Sequence, residues 1–220
     1  MTAPHSASGP WLYVAEMAHR VANEYTLAIA SLSLAAERSE SPDARTALSS
    51  AGARLRSYAA VHRALLPPTA PVETDLSYHL QMLCGAMVEA SLAERGIDLI
   101  LVDRAMPLDS LSCWKAALIV AELVTNAVRH AFQGVGGTIT VELLALDGLV
   151  GCRISDDGRG FSDVNPGCGG IIVGALADEL GGRVERELCA NGSSILLTFP
   201  GPDGRPCAAT PCTSWPQVSS

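Results

Sequence analysis

Two short stretches decide how this sequence folds and what it binds: AELVTNAVRHAF at 121–132 and ISDDGRGF at 154–161. The first has helical spacing, and its polar residues follow at i, i+4 and i+7 or i+8: Glu122, Asn126, and Arg129 with His130. That spacing places an acid, an amide and a cation along one side of a helix. The second stretch is an apolar strand that ends in an acidic turn with glycines. This composition suits a site where an adenine edge and a Mg²⁺–phosphate group approach the backbone.

Regular elements extend outward from these stretches and predict an α+β sandwich. Upstream, a helical pattern ends at Gly96, a residue that favours the left-handed end of a helix. Downstream, Asp147-Gly148 is a strong signal for a hairpin turn between two strands. The predicted elements are helix 74–95, strand 97–102, helix 109–132, strands 138–146 and 149–155, helix 170–180, and strands 183–188 and 194–199. This order predicts a mostly antiparallel sheet with helices on one face.

The N-terminal part predicts a helical hairpin. Helices at 11–38 and 43–66 are joined by SESPDA, in which Ser41 or Asp43 caps the second helix. The first helix carries an apolar stripe at 3/4 spacing: Val14, Met17, Val21, Tyr25, Ala28, Leu32 and Ala35. A single hairpin leaves such stripes uncovered, so the pattern favours dimerisation into a four-helix bundle. The prolines of LPPTAP at 66–71 end the second helix and predict a stiff linker.

Composition narrows the class of protein. The 220 residues are 48% hydrophobic and 17% charged, which is typical of a globular chain. A net charge of −8 argues against nucleic acid and anionic membranes as main partners, but allows a nucleotide at a local Mg²⁺ site. The seven scattered cysteines lack metal-ligand spacing, so we expect reduced, buried thiols. The sequence shows no apolar run near the roughly 20 residues of a membrane span, and we expect a cytoplasmic protein without membrane insertion.

The order of several motifs resembles the catalytic core of the HisKA_2 and HWE types of histidine kinase. HRVANEY at 19–25 is similar to the phosphoacceptor motif, RLRSYAAVHRALL at 54–66 to the second dimerisation helix, and YHLQMLCGAMVEA at 78–90 to the following segment. AELVTNAVRHAF resembles the N box and ISDDGRGF the first G box of the GHKL ATPase fold. The resemblance implies a dimerisation and phosphoacceptor hairpin at 10–66, an ATP-binding domain at 72–200 and a disordered tail at 201–220.

The resemblance implies that His19 is the phosphoacceptor. Helix phase places His19 about 180° from the apolar stripe, so it should point outward, where an ATP domain and an acceptor aspartate can reach it. Asn23, four residues on, is expected to orient His19 or a water molecule. Glu16 is a candidate base, and Arg20 is expected to meet phosphate or an acidic partner. Solvated helix residues without a function remain the alternative interpretation.

The same resemblance assigns the nucleotide site. Asn126 is expected to hold the Mg²⁺ that bridges the ATP phosphates, Glu122 to position a metal-bound water, and Arg129 and His130 to meet phosphate. Asp156 is expected to accept a hydrogen bond from the adenine amino group, which guanine lacks. The glycines expected to approach the nucleotide are Gly158, Gly160, Gly167, Gly169 and Gly170. A helix salt bridge is the alternative for Glu122 and Arg129.

The implied function is that of a homodimeric two-component histidine kinase that uses ATP and Mg²⁺. Its implied partners are a response regulator receiver domain and an upstream sensor or regulator protein. Residues 162–168 leave only a short lid between the glycine motifs, which favours an alternative, a histidine phosphotransferase that no longer uses ATP. Two further alternatives are a non-catalytic dimeric module that binds a regulator, and a serine kinase of the anti-sigma type, which shares the ATP fold but not the hairpin.

Overall fold

The chain folds into a helical hairpin followed by an α+β domain with helices on one face of a sheet, as the sequence predicts. The computed structural model describes residues 10–132, 136–159, 168–189 and 192–202, so the predicted tail from 203 onward lies outside the described residues. The hairpin consists of α1 (Pro10–Arg38) and α2 (Pro42–Ala64). Ser41 is the N-cap of α2, because its hydroxyl oxygen accepts a hydrogen bond from the Ala44 N–H at 3.3 Å.

The face that α1 turns toward α2 differs from the predicted apolar stripe. The buried or half-buried positions of α1 are Ala18, Ala22, Tyr25, Ile29, Leu32 and Ala36. Met17 and Val21 are instead 64% and 36% exposed, and Ala28 and Ala35 are exposed as well. At these positions the predicted stripe faces away from α2 and stays uncovered in a single hairpin. His19 is exposed, as predicted.

Five strands form the central sheet: β2 (Ile97–Val102), β4 (Gly137–Leu146), β5 (Leu149–Asp156), β6 (Arg183–Cys189) and β7 (Gly192–Pro200). Their order across the sheet is β2-β4-β5-β7-β6. The β2–β4 pair is parallel and the other pairs are antiparallel. Between β4 and β5, Asp147 and Gly148 have φ angles of 27° and 83°. Two positive φ angles fit the primed hairpin turn that an Asp-Gly pair predicts.

Helices α3 (Leu76–Met87), α4 (Ser110–His130) and α5 (Cys168–Glu179) form the second layer. The core contains alternate residues of the two central strands together with the buried face of α4; the strand residues are Ile139, Val141, Leu143, Val150, Cys152 and Ile154. Asp109 starts α4, because its Oδ1 accepts hydrogen bonds from the N–H groups of Leu111 at 3.1 Å and Ser112 at 2.9 Å. The helix that carries the first stretch is therefore fixed at its start and along its buried side.

The single helix predicted at 74–95 is wrong at both ends. A strand, β1 (Glu73–Asp75), precedes α3 and pairs with β3 (Pro107–Asp109) in a small separate sheet. Asp75 ends that strand, since its Oδ1 accepts hydrogen bonds from the N–H groups of Ser77 and Met106, both at 2.9 Å. After Met87 the chain continues as one π turn (Val88–Leu92) and one 3₁₀ turn (Ala93–Arg95). Hydrophobic periodicity does not distinguish these turns from an α-helix.

The segment predicted to be a linker lies in contact with the domain. Trp114 Nε1 donates a hydrogen bond to the Leu65 carbonyl oxygen at 2.9 Å, and His79 Nε2 lies 2.8 Å from the Ala64 carbonyl oxygen. The Ser110 hydroxyl donates to the Ala70 carbonyl oxygen at 2.9 Å. The end of α2 and the segment after it are thus attached to α3 and α4, and His79 has a structural role.

Among the described residues one helix, α4, is long and apolar enough to cross a membrane by length and composition alone. The sequence analysis did not predict an apolar helix of this length. Half of its most apolar stretch is buried inside the domain, as in the core helix of a globular protein.

Candidate functional site

Asp156 stands at the end of β5, directly opposite Ser193 of β7. The Ser193 hydroxyl donates a hydrogen bond to Asp156 Oδ2, and the Gly158 N–H donates to Oδ1 at 3.1 Å. These two bonds fix the half-buried carboxylate and leave each oxygen with further acceptor capacity. The carboxylate is therefore oriented in advance for a donor such as an adenine amino group. The sequence analysis did not predict Ser193, which follows Gly192 at the start of β7, as a site residue.

The acidic turn is docked against the end of α4. Asp157 Oδ1 accepts a hydrogen bond from the Thr138 N–H at 2.7 Å, and the Arg159 N–H donates to the Ala131 carbonyl oxygen at 3.0 Å. A Cβ on Gly158 would lie 2.6 Å from the Ala131 Cβ and 2.7 Å from its carbonyl oxygen. The glycine thus permits a close approach that no other residue type allows. The stretches 121–132 and 154–161 therefore meet at this point.

Glu122 lies against the first turn of α5. A Cβ on Gly169 would come within 1.8 Å of Glu122 Oε1, so this glycine makes room for the carboxylate. The N-terminal turn of a helix carries unpaired N–H groups and a partial positive charge, which favours a carboxylate beside it. A phosphate group would be attracted to the same helix end. The geometry therefore brings Glu122 and Gly169 together at the start of α5.

The other predicted nucleotide residues lie on α4 and α5. Asn126 is half-buried one turn after Glu122, Arg129 and His130 are exposed in the last turn of α4, and Gly170 is half-buried in the first turn of α5. Gly160 and Gly167 lie outside the described residues. Within the described ranges no group of three His, Cys, Asp or Glu side chains is placed to hold a metal ion.

His19 is exposed on α1, far along the chain from the nucleotide residues. Glu16, the candidate base, forms an exposed ion pair with Arg20, with 3.0 Å between Oε1 and the guanidinium. The exposed Asn23 follows His19 by one turn and shares its side of the helix. The other hairpin histidine, His62, is half-buried and packs against Tyr25 with the rings tilted by 59° and their centroids 5.8 Å apart. Of the two hairpin histidines, His19 is thus the exposed one.

Three cysteines, Cys84, Cys113 and Cys152, are buried free thiols, as expected. Burial raises the pKa of Cys84 to about 11 and the pKa values of Cys113 and Cys152 to about 12. A neutral thiol of this kind is a poor nucleophile and a poor metal ligand. These three cysteines therefore belong to the core and not to the site.

Two family models match the chain in the order of its two parts. A model described as histidine kinase, HisKA_2, matches residues 16–91, and one described as histidine kinase-, DNA gyrase B-, and HSP90-like ATPase matches residues 115–203. The sensor histidine kinase PdtaS of Mycobacterium tuberculosis (strain CDC 1551 / Oshkosh) is 29% identical over 196 residues, or 85% of this chain. The chain spans 39% of the length of that relative.

Solved histidine kinase structures share the fold. The histidine kinase domain of the Erythrobacter litoralis EL346 blue-light activated histidine kinase has a TM-score of 0.56 at 17% identity, covering 80% of this chain and 95% of that one. Full-length ShkA in complex with AMPPNP has a TM-score of 0.51 at 18% identity, covering 86% of this chain and 45% of that one. At these identities the likeness concerns the fold alone.

Proposed function

Because the chain belongs to the histidine kinases with a HisKA_2 hairpin and a histidine kinase-type ATPase domain, we propose that it transfers the γ-phosphoryl group of ATP to His19 and then to an aspartate of a response regulator. The observation that carries this proposal is the joint presence of an exposed His19 and an assembled Asp156 site in one chain. Neither part performs the reaction alone. The match to the hairpin model disfavours the serine kinase alternative, which has no such hairpin.

In the proposed site Asp156 recognises the adenine amino group while Ser193 and Gly158 hold the carboxylate in place. Asn126 is the proposed Mg²⁺ ligand, through its amide oxygen, and bound Mg²⁺ would neutralise charge on the phosphates. Glu122, one turn earlier on α4, is the proposed group that orients a metal-bound water. Arg129, His130 and the glycines of the α5 start are proposed to face the phosphates.

In the hairpin, a neutral imidazole nitrogen of His19 attacks the γ-phosphorus, a P–N bond forms, and ADP leaves. Most of the rate enhancement comes from positioning, since phosphoryl transfer needs little covalent help from the protein. Asn23 is the proposed residue that orients the ring. Glu16 serves this reaction less well than the sequence suggested, because its carboxylate is paired with Arg20.

The proposal also covers the oligomeric state, the partners and the location of the protein. Met17, Val21, Leu27 and Leu34 are apolar and exposed on α1, which supports a homodimer through a four-helix bundle. A receiver domain is the proposed phosphoryl acceptor, an upstream sensor or regulator protein supplies the signal, and the proposed location is the cytoplasm.

Labelling with γ-³²P-ATP and Mg²⁺ tests the proposal. We expect acid-labile label on the wild-type chain and none on His19→Gln or Asp156→Asn, with full labelling of His5→Gln as a histidine control. Nucleotide binding should persist in His19→Gln and be lost in Asp156→Asn. No label from ATP, but uptake on His19 from a phosphorylated receiver, would instead support the phosphotransferase. Failure of both reactions would leave the binding module.

A further inference from the structure

One ion pair joins the beginning of α4 to the end of α5. Lys115 Nζ lies 2.9 Å from Glu179 Oε2. The lysine side chain is only 12% exposed, whereas that of Glu179 is 46% exposed. A lysine covered to this extent needs a partner for its charge, because taking an unpaired ammonium group out of water is costly. The pair is therefore more than a surface contact between two solvated side chains.

Lys115 stands in one row on α4 with two residues of the proposed nucleotide site. Glu122 and Asn126 follow it by about two and three helical turns, so the three side chains share one side of the helix, and all three are half-buried. Gly169 in the first turn of α5 meets Glu122, and Glu179 in its last turn meets Lys115. Helix α5 therefore runs antiparallel to α4 along this row.

The packing of α5 on the core is apolar and involves one face. Val173, Leu176 and Ala177 are buried in the core, whereas Ile171 and Ile172 are exposed. Apolar packing is non-directional, so it holds α5 on α4 without fixing the rotation of the helix about its own axis. An ion pair of 2.9 Å adds a contact with a defined direction at one end of the helix.

The same end of α5 is anchored through the backbone. The Gly181 N–H donates a hydrogen bond to the Asp178 carbonyl oxygen at 2.9 Å, and Gly181 closes the helix with a φ of 64°. A Cβ on Gly182 would lie 2.3 Å from the Thr198 carbonyl oxygen, so the chain leaves α5 in close contact with β7. The carboxylate of Glu179 is unfavourable at the negative end of the helix dipole, and the Lys115 cation offsets this.

The orientation of α5 at this anchored end determines where its other end lies. The helix has 12 residues and is about 18 Å long, so a small change of tilt or rotation at Glu179 displaces the first turn. Gly169 and Gly170, whose N–H groups are proposed to face the phosphates, lie in that first turn. We propose that Lys115 is a positioning residue: through Glu179 it sets the orientation of α5 and thereby the position of these N–H groups at the phosphates of ATP. The inference rests on the proposed function and gives Lys115 no contact with the nucleotide.

The test compares two ligands that share adenine and differ in phosphate. Lys115→Met removes the ammonium group and keeps an unbranched apolar side chain. We expect the Kd for Mg²⁺-ATP, measured by calorimetry, to rise about fivefold, because the N–H groups of α5 no longer meet the phosphates in their best geometry. The Kd for adenosine, measured by NMR titration, should remain unchanged, since Asp156 is held by Ser193 and Gly158 and not by α5. Lys115→Arg keeps the cation and should restore most of the affinity for ATP.

Arg153→Met is the matched control. Arg153 forms a half-buried ion pair with Glu142, with 2.7 Å between Nη1 and Oε2. It lies on the face of the sheet away from α4, because its neighbours Cys152 and Ile154 point into the core. Loss of this pair should leave the Kd for ATP and the Kd for adenosine unchanged.

An equal rise of both dissociation constants in Lys115→Met would overturn the proposal, because a merely structural role affects adenosine as much as ATP. An unchanged Kd for ATP would overturn it as well. If circular dichroism shows that Lys115→Met is unfolded, Glu179→Gln breaks the same pair from its exposed side, and the same selective loss is expected. A chain that binds ATP with this dependence on Lys115 but does not label His19 would reject the kinase and leave the positioning role standing. No binding of ATP by the wild-type chain would overturn both.

Discussion

The proposed functional residue of the hairpin is exposed, whereas that of the domain is held in place by its neighbours. In the described parts of α1 and α2 the buried residues are Ala36 and Gly52, whereas α4 alone buries eleven residues. His19 depends on exposure, while Asp156 depends on backbone and side chains that hold it in one orientation. A substitution in the domain should therefore act through steric fit, and one in the hairpin through access and charge.

The largest expected effect concerns the reactivity of the thiols. All seven cysteines lie outside the hairpin. Burial raises the pKa values of Cys113 and Cys152 from 9.0 to about 12, so their thiolate fraction at pH 8 should be about a thousandfold lower than in the unfolded chain. We expect iodoacetamide to spare both in the native protein and to modify both in urea, as read by peptide mass mapping. Rapid native alkylation would show that the core opens.

The same pKa shifts set a pH dependence of stability. Because the folded state favours the neutral thiol, burial of these thiols contributes fully to stability below about pH 9. This contribution is lost as pH rises through the folded pKa, which is about 11 for Cys84. Unfolding by urea should therefore become easier at strongly alkaline pH. Cys152→Ala should reduce this alkaline loss, although the cavity it leaves lowers stability at neutral pH.

The next largest effect on stability is expected for the substitution Gly158→Ala. A Cβ at this position would lie 2.6 Å from the Ala131 Cβ and 2.7 Å from its carbonyl oxygen, and the backbone oxygen cannot rotate away. We expect a loss of about 2 kcal/mol in the free energy of unfolding, together with weaker nucleotide binding, because the acidic turn moves off α4. Gly85→Ala is the matched control, since nothing lies within 4 Å of its added Cβ. Equal stability of the two variants would contradict the close docking of the turn.

The sequence predicted most of this architecture because its signals are local. Asp147-Gly148 predicted the turn at positive φ, and Gly96 ends its helix in the left-handed region with φ 66°. The inward face of α1 was not predictable in the same way, because small alanines occupy half of its positions. The contact between Glu122 and Gly169 joins residues far apart in sequence, and no local pattern encodes that fit. Ser193 was missed for the same reason, since its role depends on the pairing of β5 with β7.

Ser193→Ala should have a smaller effect confined to the nucleotide. It removes the hydroxyl that donates to Asp156 Oδ2 and leaves the Gly158 N–H as the group that orients the carboxylate. A hydrogen bond of this kind contributes about 1 kcal/mol, so we expect the Kd for ATP to rise about fivefold by calorimetry. Ser194→Ala, the next residue on β7, serves as the control and should leave the Kd unchanged. Equal effects of the two substitutions would deny Ser193 a role in orienting Asp156.

The smallest expected effect is that of Gly52→Ala. It makes the same glycine-to-alanine change in the hairpin, but it should raise the free energy of unfolding instead of lowering it. At Gly52 the added Cβ would meet its neighbours at 3.7 and 3.8 Å, so nothing has to move. Alanine also has the higher helix propensity, and we expect Gly52→Ala to raise the free energy of unfolding by about 0.5–1 kcal/mol, visible as a higher Tm. Destabilisation instead would mean that this helix face is packed against another copy of the chain. Gly158 in the domain is required by the close approach to Ala131, whereas Gly52 in the hairpin lowers helix stability without any such contact.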